Sequence, residues 1–319
     1  MAPTFRSRVA ESSLTLPLTA LLAVFVWLYP DATDKGLWAA LLATEATAYV
    51  AMEWNNRHTL LRIRSRMVST LFLICMAACP MLHTLSTATF LPLCLVLTYT
   101  LLFYAYQKVR CEGEVFHAFL FLGIGVFLFP PLAVLIPVLH LTMLLALRTL
   151  TWRTWLASWF GILLPLWLYA AWAVWENRLD TAFLYVLDYL PAGLPDFAHT
   201  AEEVGKDWLY SFGFFAYLTL LSTWHFLRTS YNDKIRTRMF YYTIITVEVV
   251  LLAGTVLLPQ HKETMLPLLL VNSSPLIAHY YTLARGRLME FWFHLHVLAL
   301  LALALFNHAY RWMPSLLPL

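Results

Sequence analysis

Several ionisable or hydrogen-bonding side chains of this sequence stand inside long apolar segments. Glu45 and Glu248 are the clearest cases, and His140 and the run Asn272-Ser273-Ser274 hold similar positions. A charged side chain at the centre of a bilayer costs about 2.5–3.5 kcal/mol on insertion scales, so it usually faces a partner or a cavity. We therefore take these six residues as candidates for a substrate site or cavity.

Glu45 lies beside a row of small residues at fourfold spacing, Gly36, Ala40, Thr44 and Ala48, which lets helices approach closely. This pattern places Glu45 inside a helix bundle. Its carboxyl group is interpreted as a protonatable coupling site or as a partner for His140. The alternative is a neutral carboxyl group bonded to neighbouring backbone, and the same two interpretations remain open for Glu248.

The run Asn272-Ser273-Ser274 precedes Pro275, which removes a backbone donor from a helix. Broken helices of this kind often line transporter sites, although a kink without a site gives the same pattern.

The first polar connection contains Asp31 and Asp34, which are weak catalytic candidates. It resembles the first external loop of multi-spanning glycosyltransferases that use polyprenyl phosphates, which holds an acidic catalytic residue. Here the connection has only about five residues, so Asp31 and Asp34 are also interpreted as a turn and a cap for the next helix.

A basic stretch follows at 55–66 and contains Arg57, Arg62, Arg64 and Arg66. These four arginines are candidates for binding lipid phosphate headgroups, or they only set the membrane orientation.

The elements that carry these residues are apolar runs separated by short polar connections. Of the 319 residues, 61% are hydrophobic and 12% are charged, and an ordinary soluble domain has about 25% charged residues. Membrane-crossing helices need about 17–25 apolar residues. We predict an all-α, polytopic bundle of about eleven helices in one membrane domain at 1–319, with runs at 14–30, 36–52, 67–83, 88–107, 115–129, 132–150, 156–174, 209–227, 240–259, 264–284 and 289–309.

Basic residues fall on alternate connections and predict the orientation. Sixteen of the 21 Lys and Arg lie on one side: Arg6, Arg8, Arg57, Arg62, Arg64, Arg66, Lys108, Arg110, Arg148, Arg153, Arg228, Lys234, Arg236, Arg238, Arg285 and Arg287. The positive-inside rule places the N-terminus in the cytoplasm and the C-terminus outside. The segment 115–150 keeps this alternation whether it crosses twice or is re-entrant at Pro130-Pro131, so nine crossings is the alternative.

The longest connection, at 176–208, is predicted to lie outside and to contain a short interfacial helix at 181–190. The histidines lack zinc-site spacing and the cysteines lack a metal-binding pattern, so we predict no metal and no cofactor. The basic residues are explained by topology and imply no nucleic acid.

The connection Asn55-Asn56-Arg57, the segment 116–131 with Gly123-Ile124-Gly125, and the segment 147–155 leading to Gly161 and Pro165 carry a family resemblance. Over residues 50–175 the chain resembles an uncharacterised bacterial inner-membrane family. The resemblance implies a bacterial envelope location and no activity or catalytic residue.

The leading hypothesis is a non-enzymatic inner-membrane protein that binds or translocates an amphiphilic or lipid-linked envelope precursor, such as a lipid-linked saccharide. Its partners would then be membrane lipids. The alternatives are the glycosyltransferase and a structural subunit bound to another envelope protein.

Overall fold

A computed structural model describes residues 5–178, 205–284 and 286–312, and the predicted interfacial helix at 181–190 lies outside them. The described chain is all-helical. Its twelve α-helices are Phe5–Glu11 (α1), Thr15–Leu28 (α2), Lys35–His58 (α3), Met67–Ala77 (α4), Leu91–Tyr104 (α5), Glu112–Leu128 (α6), Leu135–Thr142 (α7), Trp152–Trp175 (α8), Lys206–Thr229 (α9), Ile235–Leu257 (α10), Lys262–Leu283 (α11) and Arg287–Trp312 (α12).

Each of the eleven predicted apolar runs coincides with a helix, and α1 is an additional short helix. Five segments of the described chain are long and apolar enough to cross a membrane: Thr87–Tyr104, Pro130–Leu147, Trp152–Trp175, Ile235–Leu257 and Leu288–Trp312. The pair α1 and α2 forms a sixth if the 86° bend between them is part of one span. The structure therefore supports a membrane protein but does not confirm eleven crossings.

Helix α11 forms the centre of the bundle, because its side chains from Met265 to Tyr281 are all buried. It packs against α4, α5, α9 and α10. By contrast, the apolar span of α12 is only 11% buried and that of α8 is 22% buried. These two helices lie at the periphery and present apolar side chains outward.

Helices α6 and α8 pack closely against each other at two glycines. Gly123 of α6 faces the backbone of Ile162, and Gly161 of α8 faces the backbone of Phe116 and Leu120. A Cβ atom on Gly123 would lie 2.8 Å from the Ile162 carbonyl oxygen, a separation that real Cβ atoms do not adopt. The two glycines thus permit a contact that larger side chains would prevent.

The segment between α6 and α8 turns at Pro130-Pro131. A 3₁₀-helix covers Pro130–Val134, α7 follows, and a π-helical turn at Met143–Leu147 ends at Arg148 in the left-handed conformation (φ 54°). The Leu147 carbonyl accepts a hydrogen bond from the Gln107 backbone N–H (3.2 Å), next to the start of α6. The segment 112–147 is therefore a hairpin that begins and ends at the same end of the bundle.

The connections between the helices lie at two opposite ends of the bundle. At one end, Arg66 donates to the Ser13 carbonyl and Arg62 pairs with Asp233. At the other, Arg311 pairs with Asp207 and Glu263. Contacts therefore group the Arg-rich connections at one end, which we call the basic end.

Candidate functional site

A hydrogen-bonded cluster of Tyr99, Glu248 and Asn272 lies in the core of the bundle. The Tyr99 hydroxyl donates to Asn272 Oδ1 (2.5 Å). The Asn272 amide nitrogen donates to the Ile244 carbonyl oxygen (3.1 Å) and to Glu248 Oε2. These bonds join α5, α10 and α11, so the structure brings two of the predicted site residues, Glu248 and Asn272, together.

The cluster is closed to the surroundings. Tyr99, Glu248 and Asn272 are each at most 2% exposed, and the Trp54 ring stacks on Tyr99 at 5.4 Å between centroids. No Lys, Arg or His of the described residues contacts the Glu248 carboxyl group, whose Oε1 has no hydrogen-bond partner among them. The arrangement orients helices and offers no open binding surface.

Glu45 is not part of this cluster. It lies on α3 nine residues before Trp54, a separation of about 13 Å along a helix. The small-residue row beside it is buried as predicted at Ala40, Thr44 and Ala48. Glu45 itself is only partly buried, and its Oε1 has no partner among the described residues.

His140 is also separate, and its partners are not Glu45. Its Nδ1 lies 2.8 Å from the Ile136 carbonyl oxygen and its Nε2 lies 2.7 Å from the Ser158 hydroxyl of α8. The structure therefore does not bring Glu45 and His140 together with Glu248 and Asn272.

Helix α11 continues through Pro275 rather than breaking there. The hydroxyls of Ser273 and Ser274 donate to the Leu270 carbonyl oxygen at 3.3 and 2.5 Å. The Pro275 carbonyl oxygen accepts from the Tyr241 hydroxyl (3.2 Å). These polar groups are occupied within the helix core, so this segment fits the interpretation of a tolerated proline.

Asp31 and Asp34 each accept hydrogen bonds from the residue two positions further along the chain. Asp31 Oδ1 accepts bonds from the Thr33 backbone N–H (2.8 Å) and hydroxyl (2.6 Å), and Asp34 Oδ1 accepts from the Gly36 N–H (2.7 Å). The Thr33 hydroxyl and N–H lower the pKa of the Asp31 carboxyl group below its usual value. The structure therefore contains the turn at Asp31 and the helix cap at Asp34 that the sequence offered as the alternative to a catalytic role.

Most of the predicted headgroup-binding arginines are engaged within the protein. Arg57 donates to the Tyr104 hydroxyl and pairs with Glu53 (3.3 Å). These two contacts raise the pKa of the Arg57 guanidinium group. Arg62 Nε lies 2.8 Å from Asp233 Oδ1. Arg64 is exposed and has no ion-pair partner within the described chain.

The Asp233 side chain is fully buried and was not predicted as a site residue. Besides Arg62, it contacts Nε2 of the fully buried His279 at 3.1 Å. Asp233 stands in a short polar connection next to Lys234, and nothing in that local pattern distinguishes it from a solvated loop residue. Its role depends on two partners that are distant in sequence.

An apolar groove lies between α2 and α12, with α4, α9 and α11 as its floor. Its volume is about 610 Å³. It is lined by Phe5, Val9, Thr15, Thr19, Leu22, Phe25, Val26, Tyr29, Met67, Thr70, Leu71, Ile74, Cys75, Ala77, Ala78, Phe214, Leu218, Ile277, Tyr281, Phe293, His296, Val297, Leu300, Leu301, Ala304, Leu305, His308 and Trp312. None of the predicted site residues is among them.

The groove opens along the side of the bundle, between α2 and α12. Its rim side chains are exposed, with Phe25 at 70% and Leu305 at 65%. The three threonine hydroxyls of the wall donate to backbone carbonyls, and the Tyr281 hydroxyl contacts His296 Nδ1 (3.0 Å). The wall therefore presents an almost entirely apolar surface.

Aromatic contacts mark both ends of the groove. At the basic end the Phe5 ring lies 6.3 Å from that of Phe293, and at the opposite end Tyr29 stacks on Trp312 at 5.3 Å. Phe293 and Trp312 are nineteen residues apart on α12, or about 28 Å along the helix. This length is close to the thickness of the hydrocarbon core of a bilayer, which is about 30 Å.

A shallow, mostly apolar recess with one charged residue, Arg8, adjoins the basic end of the groove. It measures about 510 Å³, shares Phe5, Val9, Thr15, Thr19 and Leu22 with the groove, and adds Arg8, Ser12 and Leu18. Since α1 is bent by 86° from α2, it crosses the end of the groove and carries Arg8 there.

No protein-family model, curated protein or solved structure matches this chain. The family resemblance over residues 50–175 therefore stays a prediction.

Sequence reasoning missed the groove because its walls are formed by helices far apart in the chain. The signal that remained was the basic pair Arg6 and Arg8 directly before α2. We interpreted that pair only as a determinant of orientation.

Proposed function

We propose that this chain is an integral membrane protein that binds a long-chain amphiphile in the groove between α2 and α12. The observation that carries the proposal is the cavity of about 610 Å³ with apolar walls and exposed apolar rims. A concave, mostly apolar surface is the usual form of a ligand site. In a membrane, a groove that opens sideways is filled by hydrocarbon chains rather than by water-soluble solutes.

We also propose the full topology of eleven crossings, with the N-terminus in the cytoplasm of a bacterial cell and the C-terminus outside. The grouping of the Arg-rich connections at one end of the bundle supports this orientation under the positive-inside rule. Tryptophans at both ends of α8 support a crossing there: Trp152 and Trp155 at its start, Trp172 and Trp175 at its end.

This proposal moves the binding site predicted from the sequence. A cavity at Glu45, Glu248 and Asn272 requires these three residues to converge on open space. Instead, Glu248 and Asn272 are hydrogen-bonded to each other in a closed core. The class of ligand, an amphiphilic or lipid-linked envelope precursor, is retained for the groove.

The other two functions have no observation of comparable weight. In the glycosyltransferase hypothesis, Asp31 would act on a phosphate held by basic side chains. Its carboxyl oxygen instead accepts hydrogen bonds from Thr33. A structural subunit would use the exposed apolar faces of α8 and α12 to contact another envelope protein.

The test fills the groove with a side chain. Ala304 lines the groove and Ala302, two residues away on the same helix, is exposed and does not line it. We expect Ala304→Phe to lower the binding of a long-chain polyprenol or polyprenyl phosphate at least tenfold. Native mass spectrometry of the purified protein, titrated with each lipid in detergent, gives the apparent Kd.

Ala302→Phe is the matched control and is expected to bind like the wild type. Equal loss of affinity in both variants indicates damage to α12 rather than a blocked groove. If the wild type binds no member of the lipid panel, or Ala304→Phe binds as well as the wild type, the groove is not the site and the proposal fails.

A further inference from the structure

We infer that the groove selects a lipid with a phosphate headgroup and one tail longer than an ordinary acyl chain, and that the phosphate binds at Arg8. This inference rests on the proposed function, since it specifies which amphiphile the groove accepts. Its two parts, the phosphate and the tail length, come from separate observations.

Charge at the mouth of the groove supports the phosphate. Arg8 is exposed in the recess and forms no ion pair with any described residue. Arg6 lies on the same short helix, and its side chain is only 11% exposed and 3.7 Å from Glu290. Arg66 Nη1 donates to the Ser13 carbonyl oxygen (2.8 Å), so a third guanidinium stands against the connection between α1 and α2.

These groups suit a phosphate better than a neutral headgroup. Guanidinium groups form paired, charge-assisted hydrogen bonds with phosphate oxygens. The Arg6 and Arg66 side chains are engaged with protein atoms, which leaves Arg8 as the group able to turn onto a ligand. Ser12 lines the same recess and supplies a hydroxyl group.

The 86° bend places this charge at the membrane surface. If α2 runs across the bilayer, α1 lies nearly parallel to its plane, with Arg8 at headgroup level and the groove descending from it. A lipid bound with its phosphate at Arg8 therefore has its tail directed along α2 and α12.

The length of the groove supports the long tail. An ordinary acyl chain ends near the midplane, about 15 Å below the headgroups, because two leaflets share a core of about 30 Å. The groove continues from Phe293 to Trp312, about 28 Å along α12. A single chain of roughly twice the usual length, as in polyprenyl lipids, would fill it from end to end.

The experiment compares three probes on the wild-type protein: a long-chain polyprenyl monophosphate, the corresponding polyprenol without phosphate, and phosphatidylglycerol. Apparent Kd values come from the same titrations by native mass spectrometry. We expect the polyprenyl monophosphate to bind at least tenfold more tightly than either of the other two lipids.

Arg8→Gln should weaken polyprenyl monophosphate binding about tenfold and leave polyprenol binding unchanged, and Arg8→Lys should retain part of the affinity. Arg110→Gln is the matched control, because it removes one exposed arginine of the same end without touching the recess. It should bind all three probes like the wild type. Since Arg8 is exposed, its substitution is not expected to unfold the protein.

The outcomes separate this inference from the proposed function. Equal binding of polyprenol and polyprenyl monophosphate, unchanged by Arg8→Gln, overturns the phosphate site and leaves the groove intact as an amphiphile site. Equal affinity for phosphatidylglycerol overturns the requirement for a long tail. A wild-type protein that binds none of the probes overturns the proposed function itself.

Discussion

Asn272 connects three helices because both ends of its amide are used. Its oxygen accepts from Tyr99 on α5, and its nitrogen donates to Ile244 and Glu248 on α10. A buried amide of this kind orients its neighbours, because each partner would otherwise be a polar group without a hydrogen bond in an apolar interior.

We expect Asn272→Leu to destabilise the protein by about 2–3 kcal/mol, since it leaves the Tyr99 hydroxyl and the Glu248 carboxyl group without partners. Glu248→Gln should cost less than about 1 kcal/mol, because the new amide oxygen still accepts from Asn272. Thermal unfolding in detergent, followed by loss of monodisperse protein, measures both. A Glu248→Gln variant as unstable as Asn272→Leu would contradict this account, because the cluster would then require the carboxyl group itself.

The role of an individual residue could be predicted from the sequence where its contact partners are close in the chain. Asp34 caps α3 at Gly36, two residues away, as one of the two interpretations stated. The burial of the small-residue row beside Glu45 followed from its fourfold spacing. The pairs of Asp233 with Arg62 and His279 cross 171 and 46 residues, and no local pattern indicates such contacts.

At the scale of elements, the close pair α6 and α8 depends on two glycines that face the opposite backbone. Gly161 meets Phe116 and Leu120, and a Cβ atom there would lie 2.9 Å from the Leu120 nitrogen. The helices cannot accommodate a methyl group without separating, because these neighbours are backbone atoms and not flexible side chains.

We expect Gly161→Ala to destabilise the protein by about 1–3 kcal/mol through overpacking. Gly213→Ala in α9 is the control, since a Cβ atom there meets nothing within 4 Å and alanine favours a helix. The midpoint of thermal unfolding should fall for the first variant and stay level or rise for the second. A Gly161→Ala variant as stable as the wild type would show that α6 and α8 can separate at little cost.

The helices were the feature most completely predicted from the sequence, because a run of neighbouring apolar residues is enough to indicate a helix. The eleven apolar runs all coincide with helices, whereas the number that cross a membrane does not follow from the runs alone. Helix α1 was missed because seven residues with two arginines have no apolar run. Arg6 of α1 docks at Tyr281 and Glu290, and no local pattern indicates contacts so distant in the chain.

At the scale of the whole molecule, the proposed orientation makes opposite ends of the bundle accessible from opposite sides. Arg64 and Gln260 are exposed at the two ends, and Val134 is 51% exposed at the turn of the hairpin. The four native cysteines are buried, so they should give little background labelling.

We expect a membrane-impermeant thiol reagent added to intact cells to label Gln260→Cys and Val134→Cys, while Arg64→Cys reacts only after the membrane is opened. Labelling of Arg64→Cys from outside would reverse the orientation. If Val134→Cys reacts only after opening, the segment 115–150 is re-entrant and the count falls to nine crossings.

The groove has one wall from α2 and the other from α12, and these helices stand near opposite ends of the sequence. During synthesis α2 leaves the ribosome long before α12 exists, so its groove-facing side chains meet bulk lipid first. The pocket is completed only when α12 docks, which Asn307 assists through its bonds to Ala78 and Ser211. Under the proposed function, a chain stalled before α12 would present only one wall of the groove, and we expect it to bind no lipid there.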